Sequence, residues 1–309
     1  AATKQQNLKR NTSQLFNFSR DSYLERTSRP FYAIMFLLPF IIFYEVGTLL
    51  INTDVLNQYQ VRVVAFVWLQ EWLSYLGYDG KLAWMAPPLV VILILLGLQL
   101  ASGRQWFFNF SDVGPMAIEC TLLAIPLIVL SLFLNSPGAY FPEADKTGED
   151  RAVSQFDVQS VHAHGMTGNE DLVTLQTTDN KTHNSLLAHV VTGIGAGIYE
   201  ELVFRLLLIC VLMMFFQDLL GVNHTSSVIL SILISASLFS AHHHFVFING
   251  QLAKSTEFCW TAFGFRTMAG VYFAVLFAVR GFGMAAGTHA FYDIIATILN
   301  AVFFYPDNL

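Results

Sequence analysis

A run from Leu186 to Leu220 is apolar almost throughout, yet it carries Glu200, Glu201 and Arg205 near its middle. So long an apolar run is expected to be a membrane helix. A charged side chain at the centre of such a helix costs roughly 2.5 to 3.5 kcal/mol, so three of them cannot face lipid. They must turn toward a protein-lined cavity or water. Glu201 and Arg205 are four residues apart and share a helical face, which pairs them. Glu200 sits about 100° round the helix and lacks that partner. Gly193 and Gly197 give a GxxxG spacing that lets another helix backbone come close. The plainest reading of the triplet alone is an ion pair that holds two helices together.

The rest of the chain repeats the theme. Of 309 residues, 54% are hydrophobic and 12% charged, far more apolar than a soluble domain of this length. Seven apolar runs follow one another: Phe31 to Ile51, Leu82 to Leu100, Met116 to Leu134, Leu186 to Leu220, Ser226 to Ala241, Ala262 to Val279 and Met284 to Phe304. The expected fold is all-α, a polytopic transmembrane bundle of about seven spans, with eight as the alternative count. At 1.5 Å per residue the Leu186 run is about 52 Å long against a core of roughly 30 Å, so it is tilted, broken or extends past the bilayer. Val61, Val64, Ala65, Trp68, Leu69 and Trp72 share one face and predict a helix lying in the interface.

Charge sets the orientation. Residues 1–30 are polar, with six basic and two acidic side chains, net +4, and no apolar core follows as a secretory signal requires. Arg104 and Arg280 fall on the same side if every run crosses once, and that side is expected to be cytoplasmic in a plasma (inner) membrane. Residues 136–185, with three basic and eight acidic side chains, then form a partly ordered exterior loop. The loop holds a strand-like stretch from Leu172 and the histidines His162, His164 and His183, read as solvated. The division is therefore 1–30 polar segment, 31–135 amino-terminal spans, 136–185 loop, 186–304 core and 305–309 tail. The net charge of -6, with no basic face, gives no case for nucleic acid. Cys120, Cys210 and Cys259 are too scattered for a disulfide framework or a metal-binding pair. Glu45 and Glu119 are further carboxylates inside apolar runs, and Glu45 is read as a packing or cavity-lining group.

Two more polar islands interrupt the carboxy-terminal half. In SLFSAHHHF, Phe239 and His243 are four apart on an expected helix, with His242 and His244 expected to point elsewhere. In GTHAFYD, His289 and Asp293 are four apart, and a carboxylate beside an imidazole fixes its tautomer. Taken alone, each has an ordinary reading as a packing hydrogen bond. Glu200, His243 and His289 do not obviously fall at one depth if every run crosses once, so a broken or re-entrant element is the alternative.

EExxxR at Glu200 to Arg205, FxxxH at Phe239 to His243 and HxxxD at His289 to Asp293, in that order on successive helices, resemble the motifs of the CAAX protease and bacteriocin-processing family, also called the Abi or type II CAAX endopeptidase family. The resemblance covers about residues 186–304. It implies an intramembrane endopeptidase acting on a membrane-anchored protein or peptide in the lipid bilayer. Glu200 and His243 would activate a water, a base being worth about 10² to 10⁴ in rate. His289 and Asp293 would hold the oxyanion, and Glu201, Arg205 and Phe239 would support the site. Members that resemble the prenyl-protein endopeptidase carry Asn where this chain has Asp293. An ionised Asp cannot donate a hydrogen bond, so Asp293 is either protonated or orients a cationic His289. The resemblance favours a metal-free glutamic mechanism with no cofactor; the alternative is zinc on Glu200, His243 and His289, although the chain lacks HExxH. A non-catalytic scaffold or immunity protein, or a proton-coupled carrier, is the competing class.

Overall fold

The computed structural model describes residues 21–51, 59–77, 83–135, 160–164, 186–248, 251–254 and 258–303. The expectations for residues 1–20, the stretch from Leu172, His183 and the tail lie outside these.

A short helix, α1 (Tyr23–Thr27), leads into α2 (Pro30–Ile51), α3 (Val64–Tyr75), α4 (Ala86–Ser102) and α5 (Val113–Asn135). The charged run is one continuous helix, α6 (Leu186–Leu219), followed by α7 (His224–His242), α8 (Trp260–Arg280) and α9 (Phe282–Phe303). Each predicted apolar run is a helix. Six are long and apolar enough to cross a membrane, and α4 is a shorter apolar helix. The chain is an integral membrane protein with an all-α bundle architecture.

Among the described residues, two antiparallel two-stranded ladders stand outside the helices. Strand β1 (Tyr59–Val63) pairs with β2 (Ser160–His164), so His162 and His164 of the predicted loop sit on a strand. Strand β3 (Phe245–Ile248) pairs with β4 (Gln251–Lys254) immediately after α7. Val61, expected on the interfacial helix, belongs to β1; α3 begins at Val64 and buries Val64, Ala65, Phe66 and Leu69.

The bundle is organised around α6 and α9, whose close approach depends on glycine. A Cβ on Gly193 would meet Cβ of Asp293 at 2.8 Å, and one on Gly197 would lie 2.5 Å from the Ala290 backbone nitrogen. The predicted GxxxG face is thus the seam that brings α6 against α9. On the other side, Tyr44 of α2 fills the space at Gly195. Tyr44, Phe66 and Tyr199 stack into an aromatic wedge between α2, α3 and α6, with ring centroids 5.0 to 5.9 Å apart.

The amino-terminal helix is tied to one end of the bundle. Arg280 donates to both carboxylate oxygens of Glu119 (2.7 and 2.8 Å), to Thr27 Oγ1 (3.0 Å) and to the Leu24 carbonyl (2.9 Å). Arg26 forms a two-pronged pair with Asp112, both distances 3.1 Å, and Arg104 reaches Glu25 at 3.9 Å. Arg104 and Arg280 therefore share an end with α1, as one crossing per run requires. Arg280 is no exposed loop residue, however. It ends α8, is 5% exposed, and clamps α1 to α5.

Candidate active site

Antiparallel helices of similar length bring distant residues level. Glu200 lies about 28 Å before the end of α6, and His242 lies about 27 Å past the start of α7, counting 1.5 Å per residue. The tight link between α6 and α7 therefore puts the two at one depth, and no re-entrant helix is needed for it.

At Glu201 the helix widens from α to π, a form that runs to Leu208. Such wide turns recur at functional sites. Glu200, Glu201 and Arg205 are 1%, 0% and 0% exposed, so none of them faces lipid. Glu201 pairs with Arg205 (Oε2 to Nε 3.1 Å), as the four-residue spacing predicts. The Arg205 guanidinium also lies 4.2 Å over the Phe239 ring, a cation–π contact that ties α6 to α7. Glu201 does a second thing: its Oε1 accepts from His289 Nδ1 at 2.9 Å.

That bond orients the imidazole of α9. His289 Nε2 then points at Glu200 Oε2 (3.9 Å) and Asp293 Oδ2 (3.6 Å). Its ring stacks on Phe273 of α8 at 4.5 Å and 15°. Glu200, Glu201, His289 and Asp293 are therefore brought together, as the sequence leads one to expect.

The α7 histidines differ from expectation. The helix ends at His242, and His243 is already its cap, so face reasoning based on a continuing helix breaks down there. Both rings turn back on the Phe239 carbonyl, His242 Nδ1 at 2.6 Å and His243 Nδ1 at 2.9 Å. A carbonyl only accepts, so in each ring Nδ1 carries the hydrogen, and the Nε2 of a neutral ring is a bare acceptor. His242 does not point elsewhere: its Nε2 is 3.5 Å from Glu200 Oε1. His243 lies beside it, with ring centroids 4.1 Å apart. Trp68 of α3 closes the outer side, edge-on to His242 at 5.7 Å. Sequence reading missed His242 and Trp68 as site residues.

Glu200 Oε1, His242 Nε2 and Asp293 Oδ2 are all buried with no hydrogen-bond partner. Orphaned polar atoms are costly away from water, and the first two of these face each other at 3.5 Å. Glu200, His242 and His243 also present donor atoms within 4.8 Å of one another. Two imidazoles held through Nδ1 and one carboxylate form a set that zinc accepts. This set differs from the one expected from sequence, with His242 in the place of His289.

Comparison with protein families matches residues 182–295 to the type II CAAX prenyl endopeptidase Rce1-like family. Residues 182–295 form an Rce1-like domain. The match spans α6 through most of α9 and so contains the whole cluster. Neither the curated proteins nor the solved structures yield a match. The Rce1-like domain supports a CAAX-type intramembrane endopeptidase, a hydrolase set in the bilayer.

Glu45 and Glu119, the carboxylates noted in the first and third apolar runs, are engaged. Glu45 accepts from Tyr199 Oη at 3.1 Å, next to the site, whereas Glu119 belongs to the Arg280 clamp.

Proposed function

We propose that the Rce1-like domain hydrolyses a peptide bond of a membrane-anchored protein or peptide, using a water activated by Glu200 and His242 without a covalent intermediate. The carrying observation is the pair Glu200 Oε1 and His242 Nε2, 3.5 Å apart, both buried and both without a hydrogen-bond partner. A carboxylate oxygen and an imidazole nitrogen that lacks hydrogen are two acceptors face to face, and a water donates to both. Its oxygen lone pair is then free to attack a carbonyl carbon while one proton passes to Glu200, which returns it to the amine nitrogen as the C–N bond of the tetrahedral intermediate breaks.

The oxyanion is held by His289. Because Nδ1–H is committed to Glu201, only the cationic ring has a hydrogen on Nε2 to donate. Of the two expectations for Asp293, its place 3.6 Å from that nitrogen favours the role of an orienting carboxylate. Three carboxylates surround the His289 ring, Glu201 at 2.9 Å, Asp293 at 3.6 Å and Glu200 at 3.9 Å, and they favour its cationic form. One oxyanion donor is worth roughly 3 to 4 kcal/mol. Arg205 and Phe239 hold Glu201, and through it His289.

The donors Glu200, His242 and His243 fit zinc, and bound there it would supply Lewis-acid polarisation and a more acidic water. The metal-free reading is preferred because Glu200, His242, His289 and Asp293 account for base and oxyanion holder unaided. Activity that survives strong chelators supports this choice, and loss on chelation with recovery on added zinc reverses it. The function itself is tested by comparing the membrane proteome's termini with wild-type protein and with Glu200→Gln. New termini that depend on Glu200 support hydrolysis, and identical termini with normal insertion argue for a scaffold.

A further inference from the structure

Hydrolysis at membrane depth raises a backbone problem that the catalytic cluster does not solve. A peptide bond in a helix is shielded, so a substrate must be extended before attack. An extended chain away from water exposes N–H and C=O groups that cost several kcal/mol each if left unpaired. Something beside the cluster has to take them.

The β3–β4 ribbon stands there. It begins two residues past His243, and with at most about 3.6 Å per residue Phe247 lies within about 14 Å of His243. The register is Phe245 to Lys254, Val246 to Ala253, Phe247 to Leu252 and Ile248 to Gln251, with two residues between the strands. In a two-residue hairpin the closing pair, Ile248 and Gln251, is hydrogen-bonded, and pairing alternates from there. The N–H and C=O groups of Phe245 and Phe247 therefore point away from β4. Among the described residues the sheet has two strands only, so this edge of β3 is open.

We propose that the open edge of β3 binds the substrate as an added strand, pairing the backbone of Phe245 and Phe247 with an extended peptide segment next to the scissile bond. This rests on the hydrolase reading for its purpose. Enzyme edge and substrate backbone each satisfy what the other exposes, and recognition through the main chain does not depend on side-chain identity. The ligand class is an extended, membrane-anchored peptide of unrestricted sequence at the paired positions.

Binding is measured without turnover, on the Glu200→Gln protein in nanodiscs, with an acyl-anchored, fluorophore-labelled pool of randomised octapeptides and the same pool N-methylated. N-methylation is expected to weaken binding about tenfold, since it removes the donors. Phe247→Pro removes an outward N–H without breaking the ladder. It should weaken the unmethylated pool to a similar extent and shrink the methylation penalty, while Leu252→Pro on the opposite edge should change neither. A folded Phe247→Pro protein that binds as before, a methylation penalty undiminished by it, or a pool that binds regardless of methylation overturns the proposal. If Phe247→Pro does not fold, the methylation comparison on the parent protein decides. Edge-dependent binding in a protein that cleaves nothing would sink the hydrolase reading and leave the strand edge standing.

Discussion

Two clusters in this molecule use the same side chains to opposite ends. At one end of the bundle, Arg280 and Glu119 satisfy each other through two bonds of 2.7 and 2.8 Å, with Thr27, the Leu24 carbonyl and Tyr23 taking up what remains. In the middle, Arg205 has its Nε 3.1 Å from Glu201 but poorly aligned, and Nε and Nη1 have no hydrogen-bond partner. Glu200, one residue away, meets His242 at 3.5 Å and His289 at 3.9 Å, too far for strong bonds. The first cluster is closed and structural. The second has been left with polar capacity over. Satisfaction of the polar groups distinguishes them.

This contrast can be broken by variants, taken here from the largest expected effect to the smallest. Glu200→Gln should lower turnover by about 10³-fold or more, with the thermal unfolding temperature in detergent unchanged or raised. His242→Ala should behave similarly, and His243→Ala should cost less; a cleavage assay on the purified variants checks both. In the closed cluster, Glu119→Ala leaves Arg280 uncompensated and should cost about 3 kcal/mol of stability, discounted for the partial exposure of Glu119. Denaturant titration measures this, and the fraction still folded should keep its specific activity.

A smaller effect is expected from Glu201→Gln, which weakens the hold on His289 and should reduce turnover by about 10- to 100-fold with KM little changed. Tyr23→Phe is the mildest, at about 1 kcal/mol for the lost hydrogen bond to Glu119. Burial, then this bond to Glu119, raises the Tyr23 phenol above its ordinary value of 10.0. A raised tyrosine stabilises the fold below pH 10 and loses that contribution as pH climbs above it. The stability difference between wild type and the Tyr23→Phe variant should therefore be flat from about pH 6 to 9 and shrink only in stronger alkali.

Much of this was legible before any coordinates. The seven apolar runs became seven helices because nothing but a helix satisfies a backbone through so many apolar residues. Glu201 with Arg205, and the close approach at Gly193 and Gly197, followed from helical spacing alone. The histidine of α7 did not, because the four-residue rule assumes a helix and α7 stops at His242. Past that point, where a ring points is decided by the Phe239 carbonyl, a contact that periodicity does not encode. The β3–β4 ribbon had a signal that went unused: the dipeptide Asn249-Gly250 lies between two apolar stretches, FVFI and QLA, a strong hairpin pattern. Trp68 was placed on the right helix, but its contact with His242 depends on how α3 folds back over α6, which local sequence does not fix. The π turn at Glu201 has no sequence mark that we can name.

The most direct test of the account is the rate at which purified protein in proteoliposomes cleaves a membrane-tethered peptide, compared across wild type, Glu200→Gln, His242→Ala and His243→Ala at matched folding. The account predicts that the first two substitutions reduce cleavage to below about 1% of wild type and that His243→Ala retains well above that. Full activity in Glu200→Gln, or an active His242→Ala beside a dead His243→Ala, would contradict it.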